Sequence, residues 1–222
     1  MHTLFNPENS FWNFMGKITD VACMSLLWVL TSLPLFTIGA STAAFYSFTL
    51  DAVQDEEGAV CRTYFGGFRN SFKKATLLWL MQCILFLFLA VNLYAAWHLY
   101  LNRGIPGLGM LSLAACGMLI FLGTGVYVYP ITVYYDFPLK KIITDSFIMA
   151  VSNPHVTIAV FVLYAIAAVL TYYLSGLFFF WVGLAIFFSS YFVWGVFLKY
   201  AGVKVEKKKK KKEKTDRLDP YL

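Results

Sequence analysis

Long uncharged stretches separate short charged segments along most of this chain. Residues 76–101 and 106–135 contain no Lys, Arg, Asp or Glu, and only a short turn with Arg103 separates them. Residues 156–198 are also uncharged, and Ser175-Gly176 near their middle supplies a break. A helix needs about 20 apolar residues to cross about 30 Å of hydrocarbon. The pattern therefore predicts four membrane-crossing helices between residues 76 and 198.

The first apolar region, residues 21–50, allows two interpretations. One tilted span that ends near Phe36, followed by an interfacial helix, gives five crossings. Two short helices at 18–33 and 38–53, separated at Pro34, give six crossings and place both termini on the same side. We take six spans as the prediction and five as the alternative.

Five residues are predicted to act as helix hinges or packing positions. Pro34 removes a backbone donor, and Gly39 tolerates the turn that follows. Gly39 and Ala43 are small residues four apart, a spacing that favours close helix packing in membranes. Pro130 and Pro154 are the equivalent candidates in the second half of the chain.

Composition excludes a soluble enzyme. Apolar residues make up 59% of the chain, charged residues 14%, and the mean hydropathy is +0.66. Soluble domains carry about a quarter charged residues, and a single domain of this size cannot bury so much apolar surface. We therefore expect an all-α polytopic transmembrane bundle, with residues 1–200 as a single domain.

Charge is concentrated at the C-terminus. Residues 199–222 account for the whole net charge of +6, and residues 207–212 are consecutive lysines. Such a block repels itself, so residues 201–222 are predicted to be a disordered, cytoplasmic, lysine-rich tail that contacts membrane lipids. Because no aromatic residue interrupts the lysines, the pattern argues against nucleic-acid binding.

Two charged segments, 54–74 and 139–152, are predicted to be short cytoplasmic amphipathic helices. The loops alternate between many and few Lys and Arg residues, which places both segments and the tail on the cytoplasmic side. Apolar residues recur at three- and four-residue spacing along 139–152. The residues expected to contact a partner are Arg62, Phe68, Arg69, Phe72, Lys73, Lys140, Lys141 and Phe147.

The sequence offers no catalytic, cofactor or metal-binding pattern. Nucleotide-binding, serine-hydrolase and zinc-protease motifs are absent, and the cysteines lack metal-ligand spacing. No carboxylate or basic side chain falls in the middle of a predicted span, which argues against a proton-coupled transporter. Gln82 and Asn92 are interpreted as interhelical hydrogen-bond partners, because no convergent polar groups are visible.

Several motifs together resemble the YesL family, also called domain of unknown function 624. The resemblance is specific over residues 4–80 and extends in layout over residues 3–200. The motifs that carry it are Leu4-Phe5-Asn6-Pro7-Glu8-Asn9, Phe11-Trp12, Ser32-Leu33-Pro34, Thr37-Ile38-Gly39-Ala40-Ser41-Thr42-Ala43, Asp55-Glu56-Glu57-Gly58 and Phe68-Arg69-Asn70-Ser71-Phe72-Lys73. Weaker matches in the second half are Tyr129-Pro130, Leu139-Lys140 and Asn153-Pro154.

The resemblance implies a bacterial plasma-membrane protein encoded beside carbohydrate importers of the ATP-binding-cassette (ABC) type. It implies permease subunits, and the cytoplasmic ATPase, as partners. The chain lacks the Glu-Ala-Ala…Gly loop expected of a permease that couples to the ATPase, so we expect a non-catalytic accessory subunit. The alternatives are a substrate-conducting permease for a sugar or sugar acid, and a membrane-bound regulator.

Overall fold

The chain folds into helices joined by short connections, which confirms the all-α expectation. The computed structural model describes residues 10–54 and 59–218, and no strand occurs in these ranges. The motif residues 4–9 and 55–58 lie outside them. The helices are α1 (Ser10–Ser32), α2 (Ile38–Val53), α3 (Val60–Arg103), α4 (Ile105–Tyr134), α5 (Leu139–Ser152), α6 (Pro154–Tyr173) and α7 (Phe178–Leu218).

Four of these helices contain stretches long and apolar enough to cross a membrane, so the chain is a membrane protein. The stretches are Val60–Asn102, Gly107–Tyr134, Pro154–Tyr173 and Phe178–Tyr200. The first apolar region differs, because α1 carries Lys17 and Asp20. At 16 residues, α2 is only about 24 Å long. The choice between six and five crossings therefore stays a prediction.

A tight turn separates α1 from α2. Residues Leu35–Thr37 form a single 3₁₀ turn, in which the backbone N–H of Thr37 donates to the carbonyl of Pro34 at 2.8 Å. The Thr37 hydroxyl also donates to the carbonyl of Thr31 at 2.6 Å. Pro34 therefore lies where the sequence predicts the hinge, and α2 has the predicted bounds.

Helix α2 lies at the centre of the bundle and contacts α1, α3, α4 and α7. Most of its residues are buried, and Ala43 is fully inaccessible. The approach to α3 is especially close at Gly39. A Cβ at that position would lie 2.5 Å from the Cβ of Trp79 and 2.6 Å from the carbonyl oxygen of Ala75. Only glycine fits there.

Helix α3 is longer than the sequence predicts. Residues 60–74, which were expected to belong to a separate amphipathic helix, continue into the apolar stretch as a single helix of 44 residues, about 66 Å long. The pair Gly66-Gly67 does not break it. A Cβ on Gly67 would lie 2.7 Å from the Cβ of Ser47, so this glycine permits close contact with α2.

The distal parts of α3 and α4 form a two-helix projection that we call the hairpin arm, residues 80–122. Its helices meet at the turn around Gly104, which has φ of 64°. A Cβ on Gly107 would lie 2.4 Å from the Cα of Tyr100, so the helices touch at this end. Among the arm side chains that the structure describes, only Ala96 and Gly107 are buried. The arm therefore stands away from the remaining helices.

The last helix also differs from the sequence-based expectation. Residues 201–222 were predicted to be disordered, whereas α7 continues through the lysine run to Leu218. Lys and Glu are good helix formers, and a helix that has already nucleated extends at little cost. Residues 219–222 lie outside the described part of the chain.

Candidate functional sites in the bundle and on its surface

A buried hydroxyl network joins α2 to α6 and α7. The hydroxyl oxygen of Tyr46 lies 3.0 Å from that of Tyr164 and 3.0 Å from Oγ of Ser189. One turn further along α2, Oγ1 of Thr49 lies 2.7 Å from Oγ of Ser190. These polar groups satisfy one another inside an otherwise apolar interior, where an unpaired group is costly.

Beside this network is a cavity of about 320 Å³ that we call the aromatic cavity. Six aromatic side chains contribute to its wall, and none of its lining residues carries a formal charge. Nε1 of Trp28 donates to Oγ1 of Thr42 at 3.2 Å within it. The lining residues are Trp28, Thr42, Tyr46, Trp79, Leu122, Gly125, Val126, Tyr129, Phe161, Tyr164, Val182 and Ile186.

The aromatic cavity adjoins the surface between α3 and α4. A second cavity, of about 340 Å³, shares Trp79, Leu122, Gly125 and Tyr129 with it and extends to Phe86 on the hairpin arm. With no charge on its walls, the aromatic cavity suits a neutral molecule with an apolar face and a few hydroxyl groups. It holds no acid or base for proton transfer.

The sequence missed this convergence of polar groups. Tyr46, Tyr164 and Ser189 belong to three separate helices, and each alone resembles an ordinary packing residue. The available signal was a hydroxyl group in each of three apolar stretches, which does not reveal that the helices meet. The expectation that no polar groups converge in the interior is therefore wrong.

Gln82 and Asn92 have different roles. The Tyr129 hydroxyl donates to Oε1 of Gln82 at 2.7 Å, which confirms that Gln82 links α3 to α4. Nδ2 of Asn92 donates to the carbonyl of Phe88 at 2.8 Å, within its own helix. Among the residues that the structure describes, only the first of the two predicted interhelical hydrogen bonds forms.

Polar contacts gather at one end of the bundle, where α4, α5 and α7 meet. Nζ of Lys74 donates to the carboxylate of Asp136, and this hydrogen bond, with the attraction between the charges, holds the pKa of Asp136 below its usual value. Nζ of Lys199 donates to Oδ1 of the buried Asn153 at 3.2 Å. These contacts tie Lys74 of α3 and Lys199 of α7 to the segments that flank α5.

The partner-contact candidates on α3 divide between two environments. Phe68 and Phe72 pack against the central core, with ring centroids 5.4 Å apart. Arg62, Arg69 and Lys73 are exposed. The two phenylalanines therefore support the fold, and the three cations remain accessible to a partner.

Helix α5 presents a similar division. Ile142, Ser146, Met149 and Ala150 are buried. Lys140, Lys141 and Phe147 are exposed, and Nζ of Lys141 lies 3.5 Å from the ring centroid of Phe137. The charged residues at the start of α5 therefore face away from the bundle.

The two remaining hinge candidates lie in α4 and α6. Pro130 is buried inside α4, and the helix continues through it from Ile105 to Tyr134. Pro154 is the first residue of α6, a position at which its missing N–H costs no helical hydrogen bond.

In the described ranges, no group of three or more His, Cys, Asp or Glu side chains could hold a metal ion. The four cysteines, Cys23, Cys61, Cys83 and Cys116, are free and exposed.

Comparisons with known proteins agree with the resemblance seen in the sequence. The model of a family described as a protein of unknown function, DUF624, matches residues 21–93. The uncharacterized protein YesL of Bacillus subtilis (strain 168) is 23% identical over 159 residues, which cover 71% of this chain and 73% of that relative. Together the two matches support assignment of the chain to the DUF624 (YesL) family. No solved structure matches it. The region matched to DUF624 includes Pro34 and Gly39, together with Gln82 at the base of the hairpin arm.

Proposed function

We propose that this DUF624 protein is a non-catalytic accessory subunit that packs beside the membrane-spanning subunits of a carbohydrate importer of the ABC type. It resides in the bacterial plasma membrane with a cytoplasmic C-terminus. The carbohydrate and ABC parts of the proposal rest on the family resemblance. The observation that supports an accessory role is the exposed hairpin arm.

The arm offers a large apolar surface that none of the other described helices covers. Leu113 is 77% exposed, Leu87 66% and Trp97 50%. Gly109, Ser112 and Cys116 are small, exposed and spaced so that they share one face of α4. Helices in lipid associate through close packing at small residues. A helix of a permease subunit can therefore pack along this face.

The opposite end of α3 supports a contact with a cytoplasmic partner. Three exposed cations, Arg62, Arg69 and Lys73, lie in the N-terminal part of α3, and the positive-inside rule predicts that this part is cytoplasmic. A basic helix face suits an acidic surface on the ATPase. One long helix would then connect the membrane contact to the cytoplasmic contact.

Site-specific photo-crosslinking in native cells tests the accessory role. A photoreactive residue at Leu113 should form adducts with the permease subunits. The same residue at Tyr172, which is 82% exposed but lies outside the arm, is the matched control. Adducts from both positions alike, or a chain that purifies alone in mild detergent, would contradict the proposal.

The aromatic cavity favours a second candidate, a permease that itself conducts a sugar or sugar acid. Its neutral aromatic and hydroxyl-bearing wall would suit a sugar better than a sugar acid, because no cation lines it. Proteoliposomes that contain only this chain decide between the two candidates. Sugar uptake without any partner, abolished by Tyr129→Ala, would replace the accessory role.

A further inference from the structure

A long groove is lined by residues of α3 and α4, including part of the hairpin arm, and by Ile143 of α5 at one end. Its volume is about 590 Å³, and we call it the α5-side groove. Hydrocarbon side chains make up nearly all of its wall. The lining residues are Leu78, Met81, Gln82, Ile84, Leu85, Phe88, Phe121, Thr124, Val128 and Ile143.

The length of the groove matches a single leaflet of the bilayer. Its wall on α3 extends from Leu78 to Phe88, which corresponds to about 15 Å along the helix. Half of the hydrocarbon thickness of a bilayer is also about 15 Å. A single acyl chain that enters from the α5 end therefore fits the groove along its length.

The two ends of the groove differ in charge. Ile143 of α5 forms part of one end, and Lys140 lies one helical turn before it on the same side of α5. No described residue pairs with the exposed Lys140, whereas Lys74 already neutralises Asp136 nearby. Lys141 adds a second cation over the Phe137 ring. The end marked by Phe88 is apolar.

Gln82 supplies a polar group between these two ends. Its Oε1 accepts the hydrogen bond from Tyr129, and no described residue accepts a hydrogen bond from its NH₂ group. Gln82 lines the groove one turn beyond Leu78, below the level of the charged end. By the leaflet length given above, this level lies about 6 Å inside the hydrocarbon, beneath the ester carbonyls of a phospholipid.

We propose that the α5-side groove binds one anionic phospholipid from the leaflet on the α5 side. One acyl chain lies along the groove from Leu78 to Phe88, and the phosphate contacts Lys140 and Lys141. Basic groups at the mouth of an apolar groove select anionic headgroups over zwitterionic ones.

Native mass spectrometry of the full chain in mild detergent tests this site. The probes are phosphatidylglycerol and phosphatidylcholine with identical acyl chains, each added in a titration. We expect one phosphatidylglycerol to be retained in preference to phosphatidylcholine, and Lys140→Gln to reduce that preference about five-fold, the effect of removing one lysine from a membrane surface.

A matched control separates this site from general attraction to lipid. Arg62→Gln removes the same charge 16 residues before Leu78, about 24 Å away along α3, and should leave the preference unchanged. Both variants keep the lysine-rich tail, so its contribution is equal. An equal loss in Arg62→Gln and Lys140→Gln would overturn the site.

Filling the groove provides an independent test. Leu85→Trp, at a position that is 47% exposed and lines the groove, should reduce retention of both lipids. Leu87→Trp, at a 66% exposed position outside the groove, should retain phosphatidylglycerol as the unmodified chain does. Retention that persists in Leu85→Trp, or a peptide segment found in place of lipid, would refute the proposal.

Discussion

The hydroxyl groups of Tyr46 and Tyr164 lie 3.0 Å apart, although 118 residues separate them in the chain. Tyr46 also lies 3.0 Å from Oγ of Ser189. The three side chains come from α2, α6 and α7, so their hydrogen bonds form only when these helices pack together. The network therefore reports on the assembly of the bundle.

Tyr46→Phe should lower the stability of the bundle. The substitution leaves the Tyr164 and Ser189 hydroxyls with one partner fewer, at a cost of about 1 kcal/mol for an interhelical hydrogen bond in a membrane protein. Thermal unfolding of the protein in detergent measures this loss as a lower Tm. Tyr172→Phe is the control, because Tyr172 is 82% exposed. Equal Tm values for the two variants would show that the network contributes nothing.

Gly39→Ala should destabilise the contact between α2 and α3. The new methyl group would lie 2.5 Å from the Cβ of Trp79 and 2.6 Å from a backbone oxygen, so the helices must move apart. Overpacking of this kind costs about 1–3 kcal/mol. Gly195→Ala has open space around its Cβ and should leave the Tm equal or slightly higher. A fully retained Tm in Gly39→Ala would contradict the close approach.

The contact between Lys74 and Asp136 should make stability depend on acid pH. Because the folded pKa of Asp136 is below its usual 3.8, its carboxylate stabilises the fold above that value, and the contribution is lost as the pH falls through the folded pKa. The Tm difference between the unmodified chain and Asp136→Asn should therefore shrink on acidification. The double variant Lys74→Gln with Asp136→Asn should have the same Tm as either single variant. A difference that is constant with pH would contradict the ion pair.

Labelling of Cys61 and of residue 2 from each side of the membrane should decide the number of spans. In a variant whose other cysteines are Ser, a membrane-impermeant maleimide should label Cys61 only after the cytoplasmic side is opened. Six crossings predict the same behaviour for His2→Cys in a variant without the native cysteines, because both termini then lie inside. Labelling of residue 2 from outside in intact cells would establish five crossings.

Most of the helix boundaries could be predicted from local pattern. Pro34, the Ser175-Gly176 break and Asn153-Pro154 all lie at or beside helix ends, because such residues disrupt or begin helices whatever surrounds them. The continuity of α3 was not predictable in this way. The change from the charged segment 54–74 to the uncharged stretch 76–101 predicted a boundary between two helices, but a change of polarity does not break a helix, and α3 continues through it.

The candidate sites depended far more on tertiary structure. Gln82 was recognisable as an unusual polar residue in an apolar stretch, and its hydrogen bond to Tyr129 forms as expected. The aromatic cavity was invisible in the sequence, because its lining residues are scattered from Trp28 to Ile186 and each is an ordinary membrane-helix residue. The exposure of the hairpin arm was equally hidden, since lipid-facing and buried apolar residues have the same composition in a membrane protein.

By itself, the sequence determined that the chain is a helical membrane protein whose motifs resemble the DUF624 family, because uncharged length and local motifs are properties of consecutive residues. Only the tertiary structure decided that α2 is the central helix, that Tyr46 meets Tyr164, and that residues 80–122 project from the bundle. These features depend on which helices touch, and in lipid that choice is made by side-chain packing and hydrogen bonding between distant segments.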